Sequence, residues 1–202
     1  MVFTLRKITL QVTKAHANIA LIKYWGKRNP DLHLPTKSSL SITLKELSTT
    51  TSIATHNQDC IHLNKKQVVD KKIITFLNTF RKKYNIEENH SISSNNSFPT
   101  AAGLASSSSG FAALATGLSE LYNLNLSKKE LSILARQGSG SACRSIYNGF
   151  VIWYKRLEEG TFERLKNPSG KTSLEVDVSK LTWILEGIDL FKARRRKRYK
   201  KL

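Results

Sequence analysis

Cysteine is scarce in this sequence. Cys60 and Cys143 are the two cysteines among 202 residues, and they lie far apart without the spacing of a metal-ligand motif. Small secreted domains that depend on disulfides carry more cysteines, whereas two distant ones are typical of free thiols in a reducing compartment. We therefore expect a cytoplasmic protein whose two thiols are both free.

Long apolar runs are also missing. No stretch is long and apolar enough to cross a bilayer, and the start, MVFTLRKITL, lacks the apolar run and the cleavage site of a secretory signal. This composition argues against a membrane partner. The apolar share of 40% still supports a hydrophobic core in one ordinary domain with an appendage.

Acidic residues are outnumbered by basic ones. The chain has 33 Lys and Arg against 15 Asp and Glu, a net charge of +18. Residues 192–201, KARRRKRYKK, hold eight of the basic residues and no acid. Such a run is most often a solvated tail, and the remaining excess suits anionic small molecules as well as polynucleotides. Because the tail offers only Tyr199 for stacking on bases, we expect no nucleic-acid partner.

The segment of residues 95–115, NNSFPTAAGLASSSSGFAALA, carries the clearest pattern. Four serines precede apolar residues at spacings of three and four, which predicts a helix with one apolar face. That face consists of Phe111, Leu114, Ala115, Leu118, Leu121 and Tyr122. The first amides of a helix attract anions, and small residues allow a ligand to approach them. A serine-rich N-cap on a core helix is the simpler interpretation, but four serines exceed what capping needs. The segment therefore favours a phosphate site.

Strands and helices are predicted on both sides of this segment. Alternation and β-branched residues predict strands over residues 3–12, 19–22 (buried), 40–44, 49–55 (an outer strand), 60–64, 91–94 and 150–154. Helical spacing predicts helices over residues 68–84 and 127–136, the second opened by a capping box of Ser127 and Glu130. After Lys155 the predicted elements are too few for a second domain. We expect one domain over residues 1–155 and a divergent, partly disordered basic tail over residues 156–202.

A cluster of cations follows the apolar run at residues 19–22. Lys23, Tyr24, Lys27 and Arg28 lie close together in the chain. Three cations beside an aromatic ring suit a polyanionic substrate, because lysine is a point charge and arginine a bidentate fork. An ordinary charged turn explains the same residues.

A second small-residue segment, QGSGSACRS, covers residues 137–145. Gly138 and Gly140 permit backbone turns, Ser139 and Ser141 supply hydroxyls, and Arg144 is a lone cation among small neighbours. Two interpretations remain open from this segment alone: a surface arginine, or an arginine that faces a ligand.

Three segments, NIALIKYWGKR, FPTAAGLASSSSGFAAL and QGSGSACRS, together resemble mevalonate diphosphate decarboxylases of the GHMP kinase superfamily, over about residues 13–154. The resemblance implies an α+β domain of the ribosomal protein S5 domain 2-like type, normally followed by a second α+β half. It implies phosphorylation of 5-diphosphomevalonate by ATP with Mg²⁺, followed by loss of phosphate and CO₂ to give isopentenyl diphosphate for isoprenoid biosynthesis. Family members are commonly homodimers.

The resemblance also implies roles for individual residues. The ATP phosphates would be held by a nucleotide-binding set: Pro99, Ala102, Gly103, Leu104, Ala105, Ser106, Ser107 and Ser108. The substrate would be held by Lys23, Tyr24, Lys27, Ser139, Gly140, Ser141 and Arg144. Ser107 would contact the transferring phosphate and the metal ion, and Lys23, Ser107 and Arg144 would be catalytic. The sequence lacks the GxxxxGK[ST] pattern, so this phosphate site is not a P-loop.

The family's catalytic aspartate has no counterpart here. In the family it lies in the second half, followed by a glycine-rich segment, but Asp177 and Asp189 are the aspartates after Lys155 and neither has such surroundings. We therefore expect the C-terminal half to be missing or divergent and decarboxylation to be impaired. Two alternatives stay open: a kinase-only relative that acts on a mevalonate-type hydroxyl, and a non-catalytic module that binds a nucleotide or polyanion.

Overall fold

The computed structural model describes residues 9–22, 27–29, 33–36, 38–99, 106–153 and 162–164. Numbered in chain order, the strands are β1 (Leu10–Ile22), β2 (Lys27–Asn29), β3 (Leu34–Pro35), β4 (Ser39–His56), β5 (Cys60–Leu63), β6 (Lys66–Gln67), β7 (Asn89–Asn96), β8 (Phe150–Trp153) and β9 (Phe162–Arg164). The helices are α1 (Lys71–Tyr84), α2 (Ser106–Leu121), α3 (Lys128–Gly138) and a 3₁₀ helix (Ala142–Ile146). A mixed sheet with separate helices confirms the α+β class.

Strand β4 is the centre of the main sheet. Residues 40–54 of β4 pair antiparallel with β1 on one side, interrupted by a register shift, while its first residues pair with β8 and its last ones with β7 on the other. The prediction that residues 49–55 form an outer strand is therefore wrong. They belong to an 18-residue strand with neighbours on both sides, because no turn residue separates them from Ser39–Leu44.

Strand β1 joins two predicted segments into one. It runs for 13 residues from Leu10 to Ile22, and most of the predicted strand at residues 3–12 lies outside the described residues. The apolar run at its end is in a strand, as predicted, but its burial was predicted wrongly. Leu21 and Ile22 are exposed, since β1 pairs only with β4 among the described residues.

Helix α1 connects the antiparallel pair β5–β6 to β7, which lies parallel to β5. The helix begins three residues later than the spacing predicted. The carboxylate of Asp70 accepts hydrogen bonds from the amides of Lys72 and Ile73, which caps the helix there. Val69, which precedes this cap, is 86% exposed instead of packing on the core.

Helix α2 is the principal core element. Phe111, Leu114, Ala115, Leu118 and Leu121 are all buried, which confirms the predicted apolar face up to Leu121. Their partners come from the sheet and from α1: Ile53, Ile61, Ile92, Phe76, Leu77 and Phe80. The last predicted member, Tyr122, lies one residue beyond the helix and packs against the same core half-buried. Helix α3 packs on α2 and opens with the predicted capping box, formed by Ser127 and Glu130. None of the described helices is long and apolar enough to cross a membrane.

Candidate active site

The site begins with a register shift in β1. Thr13, Ala15 and Ala17 alternate as buried residues, but Asn18 is buried as well, at 6% exposure. The partner on β4 changes from Ser48, opposite His16, to Thr43, opposite Asn18, so the chain bulges between them. Bulges of this kind redirect a side chain next to a functional site. Here the side chain of Asn18 lies on the same side of the sheet as the 3₁₀ helix, with which it forms hydrogen bonds.

Asn18 holds that 3₁₀ helix in place with three hydrogen bonds. Its Nδ2 donates to the carbonyl oxygen of Ser141 at 3.1 Å and to Oγ of Ser145 at 2.8 Å. Its Oδ1 accepts from Nε of Arg144 at 3.2 Å. One amide side chain therefore fixes both ends of the segment that carries Arg144.

Arg144 is a buried cation, 3% exposed. Its Nη1 donates to Oγ of Ser39 at 2.9 Å, and its guanidinium carbon lies 5.9 Å from the ring centroid of Trp153, within cation–π range. Among the described residues, no carboxylate forms an ion pair with Arg144, and its Nη2 has no hydrogen-bond partner. A buried charge is costly unless it is paired, so this guanidinium is suited to an anionic partner.

Three serine hydroxyls form a row across the site. Oγ of Ser107 lies 3.3 Å from Oγ of Ser139, which in turn lies 3.4 Å from Oγ of Ser141. The row connects Ser107, the exposed serine in the first turn of α2, to the loop that leads to Arg144. Helix α2 has no acidic residue in its first turn, so nothing there neutralises the partial positive charge of its amides. Hydroxyls, the amides of a helix N-terminus and a buried guanidinium together suit a phosphorylated ligand.

Gly138 allows α2 and α3 to approach each other here. A Cβ at this position would lie 2.0 Å from the ring of Phe111. The sequence predicts backbone turns at Gly138 and Gly140. Gly140 lies in a turn and Gly138 at the end of α3, but neither has a positive φ, which among the described glycines only Gly149 has. At Gly138 the missing side chain matters because the neighbouring ring occupies its space.

Cys143 lies in the 3₁₀ helix, directly before Arg144, and its role is structural. Its Sγ donates to the carbonyl oxygen of Gly140 at 2.9 Å. Burial raises the pKa of this thiol to about 12, against the lowering effect of Arg144 and Arg136. It is therefore protonated at neutral pH and unsuited to nucleophilic chemistry. Cys60 and Cys143 are both free, as predicted.

The structure brings only part of the predicted site together. Ser107, Ser139, Ser141 and Arg144 are connected as described, and the surface interpretation of Arg144 is wrong because Asn18, Ser39 and Trp153 enclose it. Gly140 lies in the same loop, Ser106 begins α2 half-buried, Ser108 is buried and Pro99 is exposed after β7. Outside the described residues lie Lys23, Tyr24, Ala102, Gly103, Leu104 and Ala105, together with the side chain of Lys27.

Sequence reasoning missed three residues of the site: Asn18, Ser39 and Ser145. The one signal was Asn18 itself, an amide that directly precedes the apolar run Ile19–Ile22. A buried polar residue in a strand needs partners, and such a residue beside apolar ones points to a network. Nothing in the local pattern identified Ser39 or Ser145.

Residues 15–162 match the family described as diphosphomevalonate decarboxylase-like N-terminal domain. The chain belongs to the diphosphomevalonate decarboxylase family. Among its relatives, the diphosphomevalonate decarboxylase of Danio rerio is 45% identical over 198 residues, which is 89% of this chain and 46% of the relative. That of Saccharomyces cerevisiae is 44% identical over 165 residues, 72% of this chain and 41% of the relative.

Solved structures of diphosphomevalonate decarboxylases share this fold. The mevalonate diphosphate decarboxylase of Staphylococcus aureus gives a TM-score of 0.76 at 41% identity, covering 81% of this chain and 52% of that one. A structure described as MDDEF in complex with MVAPP, AMPPCP and magnesium gives 0.74 at 44% identity, covering 79% and 51%. These matches confirm the expected GHMP-type N-terminal fold. The chain spans about half the length of the relatives it matches.

Proposed function

We propose that this chain binds ATP and 5-diphosphomevalonate side by side and contributes the N-terminal part of a diphosphomevalonate decarboxylase site. Arg144 carries the proposal, because it is a buried guanidinium whose partners among the described residues are neutral groups: Asn18, Ser39 and the ring of Trp153. An anionic substrate bound there would offset the cost of burying this charge. The names of the relatives favour decarboxylation over the kinase-only alternative.

The first turn of α2 would hold the nucleotide. Phosphoryl transfer depends on positioning and on neutralising charge, and the amides of a helix N-terminus with serine hydroxyls provide both. Ser106, Ser107 and Ser108 are the described members of this set, and Ser107 is the exposed one. Pro99 and residues 102–105 stay predicted members.

Mg²⁺ fits the chemistry of Ser107, whose hydroxyl oxygen suits a hard cation. The described residues contain no group of three acidic, histidine or cysteine side chains that could hold a metal ion. We propose that Ser107 supplies one oxygen and the phosphates of ATP supply others. When bound, Mg²⁺ would neutralise phosphate charge.

Arg144 would hold the carboxylate of the substrate. Nε and Nη1 are engaged by Asn18 and Ser39, which fixes the plane of the guanidinium and leaves Nη2 directed to a ligand. A fixed cation keeps the carboxylate oriented while phosphate departs, which lowers the entropic cost of elimination. Ser139, Gly140 and Ser141 would hold the diphosphate, and Lys23, Tyr24 and Lys27 stay predicted contacts.

The two ligands would bind cooperatively. One relative is described as showing a mevalonate diphosphate mediated ATP binding mechanism. In this chain the hydrogen bond between Ser107 and Ser139 links the nucleotide segment to the substrate segment. We propose that substrate bound at Ser139 and Ser141 orders Ser107 and thereby favours ATP.

Turnover separates the remaining possibilities. We expect purified chain to release CO₂ from 5-diphosphomevalonate with ATP far more slowly than a full-length relative, since the site residues include no carboxylate to act as a base. ADP without CO₂ would favour the kinase-only alternative, and binding without either product a non-catalytic module. CO₂ release at the rate of a full-length relative would overturn the expected impairment.

Three further predictions accompany this function: the boundary between a domain at residues 1–155 and a basic tail at residues 156–202, a cytoplasmic location and a homodimer. The two free thiols support the second.

A further inference from the structure

The four serines at the start of α2 divide into two pairs with different surroundings. Ser106 and Ser107 are accessible, whereas Ser108 and Ser109 are fully buried. Oγ of Ser109 lies 2.7 Å from Oγ1 of Thr49 in the middle of β4. The serine run therefore does more than present hydroxyls to a ligand, because one of them attaches the helix to the sheet.

Thr49 stands between two partners. It is fully buried, and its Oγ1 donates to Oδ1 of Asn96 at 2.6 Å. A hydroxyl has one hydrogen, so while Thr49 donates to Asn96 the contact with Ser109 requires the serine to donate, in place of its longer contact with the carbonyl oxygen of Ser106 at 3.4 Å. The hydrogen bonds thus run in one direction, from Ser109 to Thr49 and from Thr49 to Asn96.

These partners occupy opposite ends of the connection between β7 and α2. Asn96 is the last residue of β7, and Ser109 is the fourth residue of α2. The end of β7 is held further by Ser97, whose amide donates to the carbonyl of Ser48 at 2.9 Å and whose Oγ donates to that of Glu46 at 3.0 Å. Thr49 is thus the point on β4 to which both ends attach.

We propose that Thr49 is a positioning residue for nucleotide binding, because its hydroxyl sets where the first turn of α2 begins. Ser107 lies two residues before Ser109, so a shift of Ser109 moves the hydroxyl and the amides assigned to the phosphates. This inference rests on the proposed function. Thr49 acts through Ser109 and touches no ligand itself.

Thr51 provides a matched control on the same strand. It is also fully buried, and its Oγ1 lies 2.9 Å from Oγ of Ser94. Thr49 and Thr51 are two residues apart and so face the same side of the sheet. The hydrogen bond of Thr51 joins β4 to β7 and does not involve α2. Its removal therefore breaks a contact between two buried hydroxyls but leaves the attachment of α2 to β4 intact.

The test compares Thr49→Val, Ser109→Ala, their combination and Thr51→Val by titration calorimetry. AMPPCP with Mg²⁺ is titrated in the presence of saturating 5-diphosphomevalonate, and 5-diphosphomevalonate is titrated alone. We expect Thr49→Val and Ser109→Ala each to raise the Kd of AMPPCP about three- to tenfold, as for one lost hydrogen bond. The Kd of 5-diphosphomevalonate should change less than about twofold. The combined variant should match Thr49→Val, because that change already removes the contact with Ser109 together with the hydrogen bond to Asn96.

Two results would overturn the inference: equal effects of Thr49→Val and Thr51→Val on AMPPCP, or equal effects of Thr49→Val on both ligands. If the unmodified chain binds no AMPPCP, the proposed function fails. Amide hydrogen exchange of the ligand-free protein then tests whether Thr49 positions the start of α2. Faster exchange at Gly110–Ala113 in Thr49→Val but not in Thr51→Val would support the positioning role. Unchanged exchange would contradict it.

Discussion

Oδ1 of Asn18 accepts a hydrogen bond from Nε of Arg144 at 3.2 Å, which joins residues 126 positions apart in the chain. Asn18 comes from β1, at its register shift against β4, and Arg144 comes from a 3₁₀ helix, so the contact connects the two elements that we propose to hold the substrate. Because Nη1 of Arg144 also donates to Oγ of Ser39, the two hydrogen bonds together leave the guanidinium little freedom to rotate.

Replacement of Asn18 by alanine should weaken substrate binding. Without Oδ1 the guanidinium loses one of its two hydrogen bonds, and the 3₁₀ helix loses its contacts at Ser141 and Ser145. We expect the Kd of 5-diphosphomevalonate to rise about tenfold or more, as for a hydrogen bond to a charged group, with a smaller effect on AMPPCP. Titration calorimetry measures both.

Thr43→Val is the control for this prediction. Oγ1 of Thr43 donates to the carbonyl oxygen of Tyr147 at 2.9 Å, directly after the same 3₁₀ helix, but does not touch Arg144. It should leave the Kd of 5-diphosphomevalonate nearly unchanged. Equal losses in Asn18→Ala and Thr43→Val would show that general loosening of the helix, and not Arg144, controls binding.

Gly138→Ala should destabilise the fold. Its new Cβ would lie 2.0 Å from the ring of Phe111, so α3 must move away from α2. Overpacking of this kind costs about 1–3 kcal/mol in the free energy of unfolding. Gly110→Ala is the opposite case, because no atom lies within 4 Å of its Cβ and a helical alanine is better than glycine by up to about 1 kcal/mol. Denaturant unfolding of both variants gives the comparison, and a Gly138→Ala protein as stable as Gly110→Ala would contradict the packing described.

A buried polar network lies away from the site. Arg81 pairs with the carboxylate of Asp59, and its Nη2 lies 3.1 Å from Nδ1 of His90. Because a guanidinium only donates, Nδ1 accepts and Nε2 carries the hydrogen that His90 donates to the hydroxyl of Tyr122 at 2.8 Å. Burial and the nearby Arg81 lower the pKa of His90 from 6.5 to about 4.

This network makes the protein less stable in acid. Between pH 6.5 and about 4 the unfolded chain binds a proton at this histidine and the folded chain does not, so the free energy of unfolding falls as the pH is lowered. The loss is on the order of 3 kcal/mol for such a shift in pKa. His90→Gln should flatten this dependence, whereas Tyr122→Phe, which keeps the histidine, should retain its slope. Urea unfolding at several pH values between 7 and 4 measures it, and an unchanged slope in His90→Gln would refute the assignment.

Local spacing predicted the elements well and the site in part. The apolar face of α2 and the capping box at Ser127 depend on neighbours within a few residues, so the sequence contains them directly. The burial of Arg144 depends on Asn18 and Ser39, more than one hundred residues away, and on a register shift between β1 and β4. No local pattern encodes that pairing.

The start of α1 shows the same limit on a smaller scale. The apolar spacing predicts that the helix begins at Val68. The helix instead begins at Lys71, because the side chain of Asp70 accepts two amide hydrogen bonds and caps it there. Gly138 was attributed to backbone freedom, although its role is the space that Phe111 fills. In both cases a sequence pattern does not show which group lies next to the residue in the folded chain.

Titration of 5-diphosphomevalonate into the unmodified chain, Arg144→Gln and Lys128→Gln tests the central claim most directly. Lys128→Gln removes one positive charge from an exposed position on α3 and controls for net charge. We predict one binding site per chain, a Kd at least about tenfold higher in Arg144→Gln, and an unchanged Kd in Lys128→Gln. No binding by the unmodified chain, or equal affinity in Arg144→Gln, would contradict a substrate site built around Arg144.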